Sequence, residues 1–180
     1  MFWGANLSYD CFGLAHYRRH FCYKRKGSAK ESILTHFEAE RLFSSADIIV
    51  PKRRMYYIET LESHFNHMRL STDDDLKILK EAVRKVSPQY VNACDVVFHR
   101  TWGHMFYMFI MRREVFQDYY KWFFAVLSEV ERNINMSSSI HPNRKSIIGY
   151  VAEFLLVYTW KQIFCHIRKL ILFFLRSRTN

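Results

Sequence analysis

Three short apolar runs, at residues 10–17, 47–51 and 105–111, are set among longer stretches with helical periodicity. That alternation constrains the chain more than any other feature, because it describes an α/β fold: a small sheet flanked by many helices. DCFGLAHY (10–17) carries Cys11, Phe12, Leu14 and Ala15 over a length that suits a buried strand. Asp47-Ile48-Ile49-Val50 reads as a second strand, stopped by Pro51, which brings no N–H to a ladder. MFYMFIM (105–111) is apolar, aromatic and short for a helix, so it is read as the third strand. Three strands are few for an open sheet.

The helices announce themselves by their starts. Thr35-His36-Phe37-Glu38 is a capping box, which predicts a short helix to about Phe43. A second is expected over 57–68. Ser71-Thr72-Asp73-Asp74 caps a third, with Leu76, Leu79, Val83 and Val86 on one face. Ser87-Pro88 opens another through Cys94, with proline in the first turn. Residues 114–134 form the longest, with Phe116, Tyr120, Phe123, Phe124, Leu127 and Val130 expected inward, and a last helix runs from about Ser146 toward Trp160. Residues 1–8 open without a cap and look like the tail of a helix.

Composition excludes several classes. The 180 residues are 49% hydrophobic and 17% aromatic, with 5 Gly and 3 Pro, so neither a disordered nor a collagen-like chain is described. The length fits one domain. Cys11, Cys22, Cys94 and Cys165 are scattered without a C-x-x-C pair, which favours a reducing compartment. There is no signal peptide, and the longest apolar candidate for a span is broken by Glu153. A cytoplasmic protein is expected. Half of the net charge of +10 lies in a tail over 161–180, where Lys161, Arg168, Lys169, Arg176 and Arg178 alternate with large apolar residues. Such a segment suits the surface of an anionic membrane or a final helix packed on the domain, and it divides the chain into 1–160 and 161–180. Nothing recognisable as a nucleic-acid-binding fold accompanies the charge, so no nucleic acid partner is expected.

No G-x-G-x-x-G, P-loop, H-E-x-x-H or G-x-S-x-G is present. The most chemical cluster is His16-Tyr17-Arg18-Arg19-His20, directly after the first strand. Ligands of open α/β sheets bind beyond the carboxyl ends of strands, and paired guanidinium forks match a diphosphate. A solvated basic loop is the plainer alternative. Asp73-Asp74-Asp75 fits a loose D-x-D metal pattern, but its place at a helix start favours capping. His64 and His67 share a helix face with Glu59 or Thr60, a spacing open to metal ligation, acid–base work or simple surface exposure. His104 is equally ambiguous. Glu153, within an apolar helix, is a candidate functional or ion-paired carboxylate.

Longer phrases go further. GLAHYRRHF (13–21), DIIVPKRRMYYIETLESHFNHM (47–68), SPQYVNACDVVFHR (87–100), GHMFYMFIMRREVFQDYYKWFFAVLSEVE (103–131) and IIGYVAEFLLVYTW (147–160) resemble, in order, the bacterial DUF4422 family of capsular and exopolysaccharide glycosyltransferases. The resemblance implies a GT-A-like nucleotide-sugar-binding domain that passes a sugar to a lipid-linked oligosaccharide, working at the inner face of the cell membrane. It implies diphosphate contacts at His16, Tyr17, Arg18, Arg19 and Lys52, with a divalent metal (Mg or Mn) held near His16. It implies catalytic roles for Glu153, Glu59 and His64, with Glu59 or Glu153 taking the acceptor proton. Pro51, Tyr57, Thr60, His67, His104, Met108 and Gly149 lie in the same motifs. Members of the family carry a further strand-helix-strand ahead of the segment matching Met1. The expectation is therefore a sheet lacking its first strands, with an inactive remnant that binds membrane or a partner protein as the alternative to a transferase.

Overall fold

The structure, a computed structural model, describes residues 9–16, 19–23, 31–67, 73–134, 146–162 and 169–176. Its contacts divide the chain into two compact units. One comprises 1–53, 104–118 and 166–180, and the other 54–103 and 119–165.

The first unit holds a five-stranded mixed sheet. Its strands are β1 (Cys11–Leu14), β2 (Arg19–Cys22), β3 (Ile48–Pro51), β6 (Phe109–Arg112) and β7 (Lys169–Arg176), in the order β1-β6-β3-β7-β2. β6 runs antiparallel to both β1 and β3, with Cys11 opposite Arg112 and Ile48 opposite Met111. β3 pairs in parallel with β7, Ile48 with Lys169 through Pro51 with Leu172, and β7 is antiparallel to β2. β3 is buried at all four positions, as a strand with neighbours on both sides and apolar residues throughout should be.

Helix α1 (His36–Phe43) forms with its capping box complete, Thr35 and Glu38 each accepting from the other's backbone N–H. The helix brings Leu42 and Phe43 into a cluster with Phe21, Ile49 and Met108. Arg112 ties its end to the sheet, donating to Asp47 at 3.2 Å and to the Phe43 carbonyl.

Three expectations change here. Residues 16–20, for which a solvated basic loop was one reading, are not all loop: 19–22 is a strand of its own. Residues 169–176, expected within a basic amphipathic tail, instead supply β7, a strand with a neighbour on each side. The third predicted strand is also shorter, starting at Phe109 because Phe106 and Tyr107 take positive φ values of 80° and 50° that no strand accommodates.

The second unit is mainly helical. It contains α2 (Leu61–Asn66), α3 (Asp73–Val86), a 3-10 turn (Pro88–Tyr90), α4 (Val91–Phe98), most of α5 (Arg113–Asn133) and α6 (Ile147–Gln162), with a two-stranded ladder of β4 (Arg54–Met55) and β5 (Trp102–Gly103). α2 is shorter than predicted. Tyr57 sits at φ 60° in a turn, and the helix begins only where the Thr60 hydroxyl accepts the Ser63 N–H at 3.0 Å. Ser87 does not cap; its hydroxyl accepts the Trp122 indole N–H at 2.9 Å.

On α5 the buried stripe runs through Phe116, Tyr119, Phe123, Val126 and Val130, so Tyr120, Phe124 and Leu127 flank it rather than form it. Phe65, Phe98 and Phe154 bring α2, α4 and α6 together: Phe98 and Phe154 stack 5.9 Å apart, and both meet Phe65 edge-on. Among the described residues no helix is long and apolar enough to cross a membrane.

Candidate functional site

The strand directions decide where polar residues of the sheet unit collect. Since β6 opposes both β1 and β3, and β3 parallels β7, the carboxyl ends of β1, β3 and β7 lie at one end of the sheet. β2 and β6 begin there. His16 follows β1, Arg19 opens β2, Lys52 follows β3, and residues 104–108 lead into β6. Four residues separated by up to 88 positions in sequence are thus delivered to the same end of the sheet, where open α/β sheets take their ligands.

Contacts fix several of them. The Arg19 guanidinium donates to the His16 imidazole, 3.2 Å from Nδ1 and 3.3 Å from Nε2, and lies 3.9 Å over the ring of Phe106. His104 Nδ1 donates to the Pro51 carbonyl at 2.6 Å, anchoring the loop before β6 to the end of β3. Lys52 is exposed beside it. Met108, by contrast, is fully buried in the core. Tyr17 and Arg18 lie outside the described residues.

The helical unit builds a second cluster from a short stretch of chain. The two carboxylate oxygens of Glu59 accept from His64 Nδ1 at 3.0 Å and from His67 Nδ1 at 2.9 Å. These bonds, that from His67 foremost, hold the Glu59 carboxyl below its usual range. Each imidazole is thereby set with Nδ1 protonated and Nε2 as the nitrogen able to take a proton. His64 also stacks on Tyr56, with ring centres 4.4 Å apart. Burial, reinforced by Glu153 and Glu59, pushes the Tyr56 phenol up, while Arg54 beside it pulls down. Glu153, half-buried on α6, therefore bears on the same tyrosine as Glu59.

The sequence profile of DUF4422, a domain of unknown function, matches residues 1–163. The chain belongs to DUF4422. Its fold is α/β and GT-A-like, and superimposes with a TM-score of 0.85 on the apo structure of WbbM, a bifunctional glycosyltransferase. The two share 22% identity, and the match takes in 98% of this chain but 35% of that one. No curated protein matches the sequence significantly.

Of the motif residues expected in this DUF4422 chain, the structure gathers His16, Arg19, Lys52 and His104 at the sheet end, and Glu59, His64, His67 and Glu153 around Tyr56. Thr60 is engaged as the cap of α2. Tyr57 is 82% exposed, while its neighbour Tyr56, which sequence reasoning did not single out, stacks on His64. Phe106, over whose ring Arg19 lies, was not singled out either. Among the described residues no three His, Cys, Asp or Glu side chains converge in a way that could hold a metal ion. Asp73-Asp74-Asp75 opens α3, where Asp75 is buried and Asp74 pairs with Lys77 at 3.0 Å.

Proposed function

We propose that this DUF4422 chain handles the nucleotide-sugar donor of a glycosyltransferase that extends a lipid-linked oligosaccharide in capsular, exopolysaccharide or O-antigen synthesis. The supporting observation is the convergence of Arg19, His16, Lys52 and His104 on the carboxyl ends of β1, β3 and β7.

In such a transfer the bond between the sugar C1 and the diphosphate oxygen breaks, and negative charge grows on the departing diphosphate. A guanidinium held in place stabilises that charge in two parallel N–H···O bonds, and a lysine adds a point charge. Arg19 takes the first role and Lys52 the second; Arg18 and Tyr17 belong to the same sequence motif as Arg19. Within the helical unit, taken by itself, Glu59 occupies Nδ1 of His64 and so aims its basicity at Nε2, which gives His64 the form of a base and Glu59 that of its orienting group. The acceptor's lipid would bring the protein to the inner face of the membrane as a peripheral partner, with the net charge of +10 favouring an anionic surface.

The test is titration of the full chain with UDP and with UDP-sugars by calorimetry, followed by assay of sugar transfer. Arg19→Ala and Arg18→Ala are expected to lower transfer by about two to three orders of magnitude with the melting curve unchanged. A folded parent chain that binds neither UDP nor a UDP-sugar overturns the proposal and leaves a non-catalytic protein that binds a membrane surface or a partner as the better description.

A further inference from the structure

Phe106 stands out among the residues of the sheet end because its backbone is held where L-residues rarely go. It and Tyr107 have φ values of 80° and 50°, two consecutive left-handed non-glycine residues, each of which costs free energy that the surrounding structure must offset. The turn they make does specific work. His104, two residues earlier, bonds to the Pro51 carbonyl, and Met108, two residues later, is buried in the core. Between these anchors the ring of Phe106 rests on the margin of the cluster of Phe21, Leu42, Phe43, Ile49 and Met108. Its face lies 3.9 Å from the Arg19 guanidinium carbon. His16 meets the same guanidinium through Nη1.

We propose that Phe106 is a positioning residue for anion binding, its ring face and the His16 imidazole together holding the Arg19 guanidinium in one orientation at the carboxyl ends of β1, β3 and β7. This role rests on the donor-diphosphate reading given above and deepens it. An unrestrained arginine side chain surrenders rotamer freedom when it clamps a phosphate, and one already laid flat on an aromatic face has surrendered it beforehand. Ring quadrupole and guanidinium charge also attract, and the strength of that attraction converts to a roughly threefold to thirtyfold effect on affinity.

The experiment titrates the full chain with inorganic pyrophosphate by calorimetry at low salt, comparing the parent with Phe106→Leu and Phe106→Trp. Leucine keeps most of the volume and loses the aromatic face; tryptophan keeps the face and strains the volume. Phe106→Leu is expected to bind about threefold to thirtyfold more weakly, and Phe106→Trp within about twofold of the parent, with melting curves reporting that each is folded. A residue that merely fills the core margin would give the opposite order, since the larger side chain disturbs the packing more. Leu and Trp variants of equal affinity, or a weaker Trp variant, overturn the role of Phe106. A parent chain that does not bind pyrophosphate overturns the anion-binding reading itself, and the role of Phe106 with it.

Discussion

Phe154 joins the core of the helical unit to its polar cluster, which makes Phe154→Ala the most informative single change there. The side chain is 2% exposed, stacks on Phe98 with rings 5.9 Å apart and 4° from parallel, and takes Phe65 edge-on at 5.0 Å. Its ring centre also lies 6.3 Å from that of His64. Truncation returns about 150 Å² of apolar surface to the account, worth about 4 kcal/mol at 25 cal/mol per Å². Two aromatic pairs are lost with it, while partial collapse of the cavity gives some of that back, so the net cost is about 4–5 kcal/mol. Phe154→Leu retains most of the volume and should cost about 1–1.5 kcal/mol. A domain holds about 5–15 kcal/mol in all, so the alanine variant is marginal and the leucine variant is not. Urea titration combined with amide hydrogen exchange is the assay. Protection in α4 and α6 should fall by about three orders of magnitude or more in the alanine variant. Alanine-variant amides in α4 and α6 that keep parental protection would refute the claim that this aromatic triad carries the helical unit.

Two further predictions address single elements. A methyl group at Gly149, in the first turn of α6, would meet nothing within 4 Å; Gly149→Ala should therefore stabilise the chain by about 0.5–1 kcal/mol and raise the Tm by about 1–4 °C in calorimetry. Glu129 is 8% exposed and accepts from Lys85 at 2.6 Å, Arg132 at 2.9 Å and Asn133 at 3.1 Å, and the Lys85 bond foremost holds its carboxyl below the ordinary value of 4.5. A carboxyl depressed by folding contributes stability that is present above its unfolded pKa and lost as the pH falls through the folded one. Glu129→Gln should thus lower the Tm at about pH 7, and the gap to the parent should close as the buffer is taken to about pH 3.

How much of this was legible in the sequence depends on how local the cause is. α1 could be read because its cap lies within four residues, Thr35 to Glu38. β3 could be read because every residue in it is buried, so the apolar run needs no phase. On α5 Phe116, Phe123 and Val130 were placed inward correctly, while Tyr120, Phe124 and Leu127 were not: Tyr119-Tyr120 and Phe123-Phe124 offer two adjacent aromatics per turn, and only the packing chooses Tyr119 and Phe123. β7 was missed because its partners, β3 and β2, are more than a hundred residues away. Its sequence did carry a signal, the uninterrupted Leu170-Ile171-Leu172-Phe173-Phe174 of a strand with neighbours on both sides, hidden by the basic residues around it.

The two polar clusters divide along the same line. Tyr56, Glu59, His64 and His67 fall within twelve residues of chain, so closeness in sequence alone suggested the pairing of histidines and carboxylate, although Glu59 precedes α2 rather than lying on it and the turn at Tyr57 sets the geometry. His16, Arg19, Lys52 and His104 have no such local rule. They meet because β1 and β3 run in the same direction while β2 and β6 start where those strands end, and direction is a property of the whole sheet. Phe106 needed more still, since nothing in MFYMFIM distinguishes an aromatic that packs in a strand from one turned by left-handed backbone onto an arginine. A sequence states which residues are chemically able to bind an anion; the sheet's topology and two strained residues determine which of them share one end of the sheet.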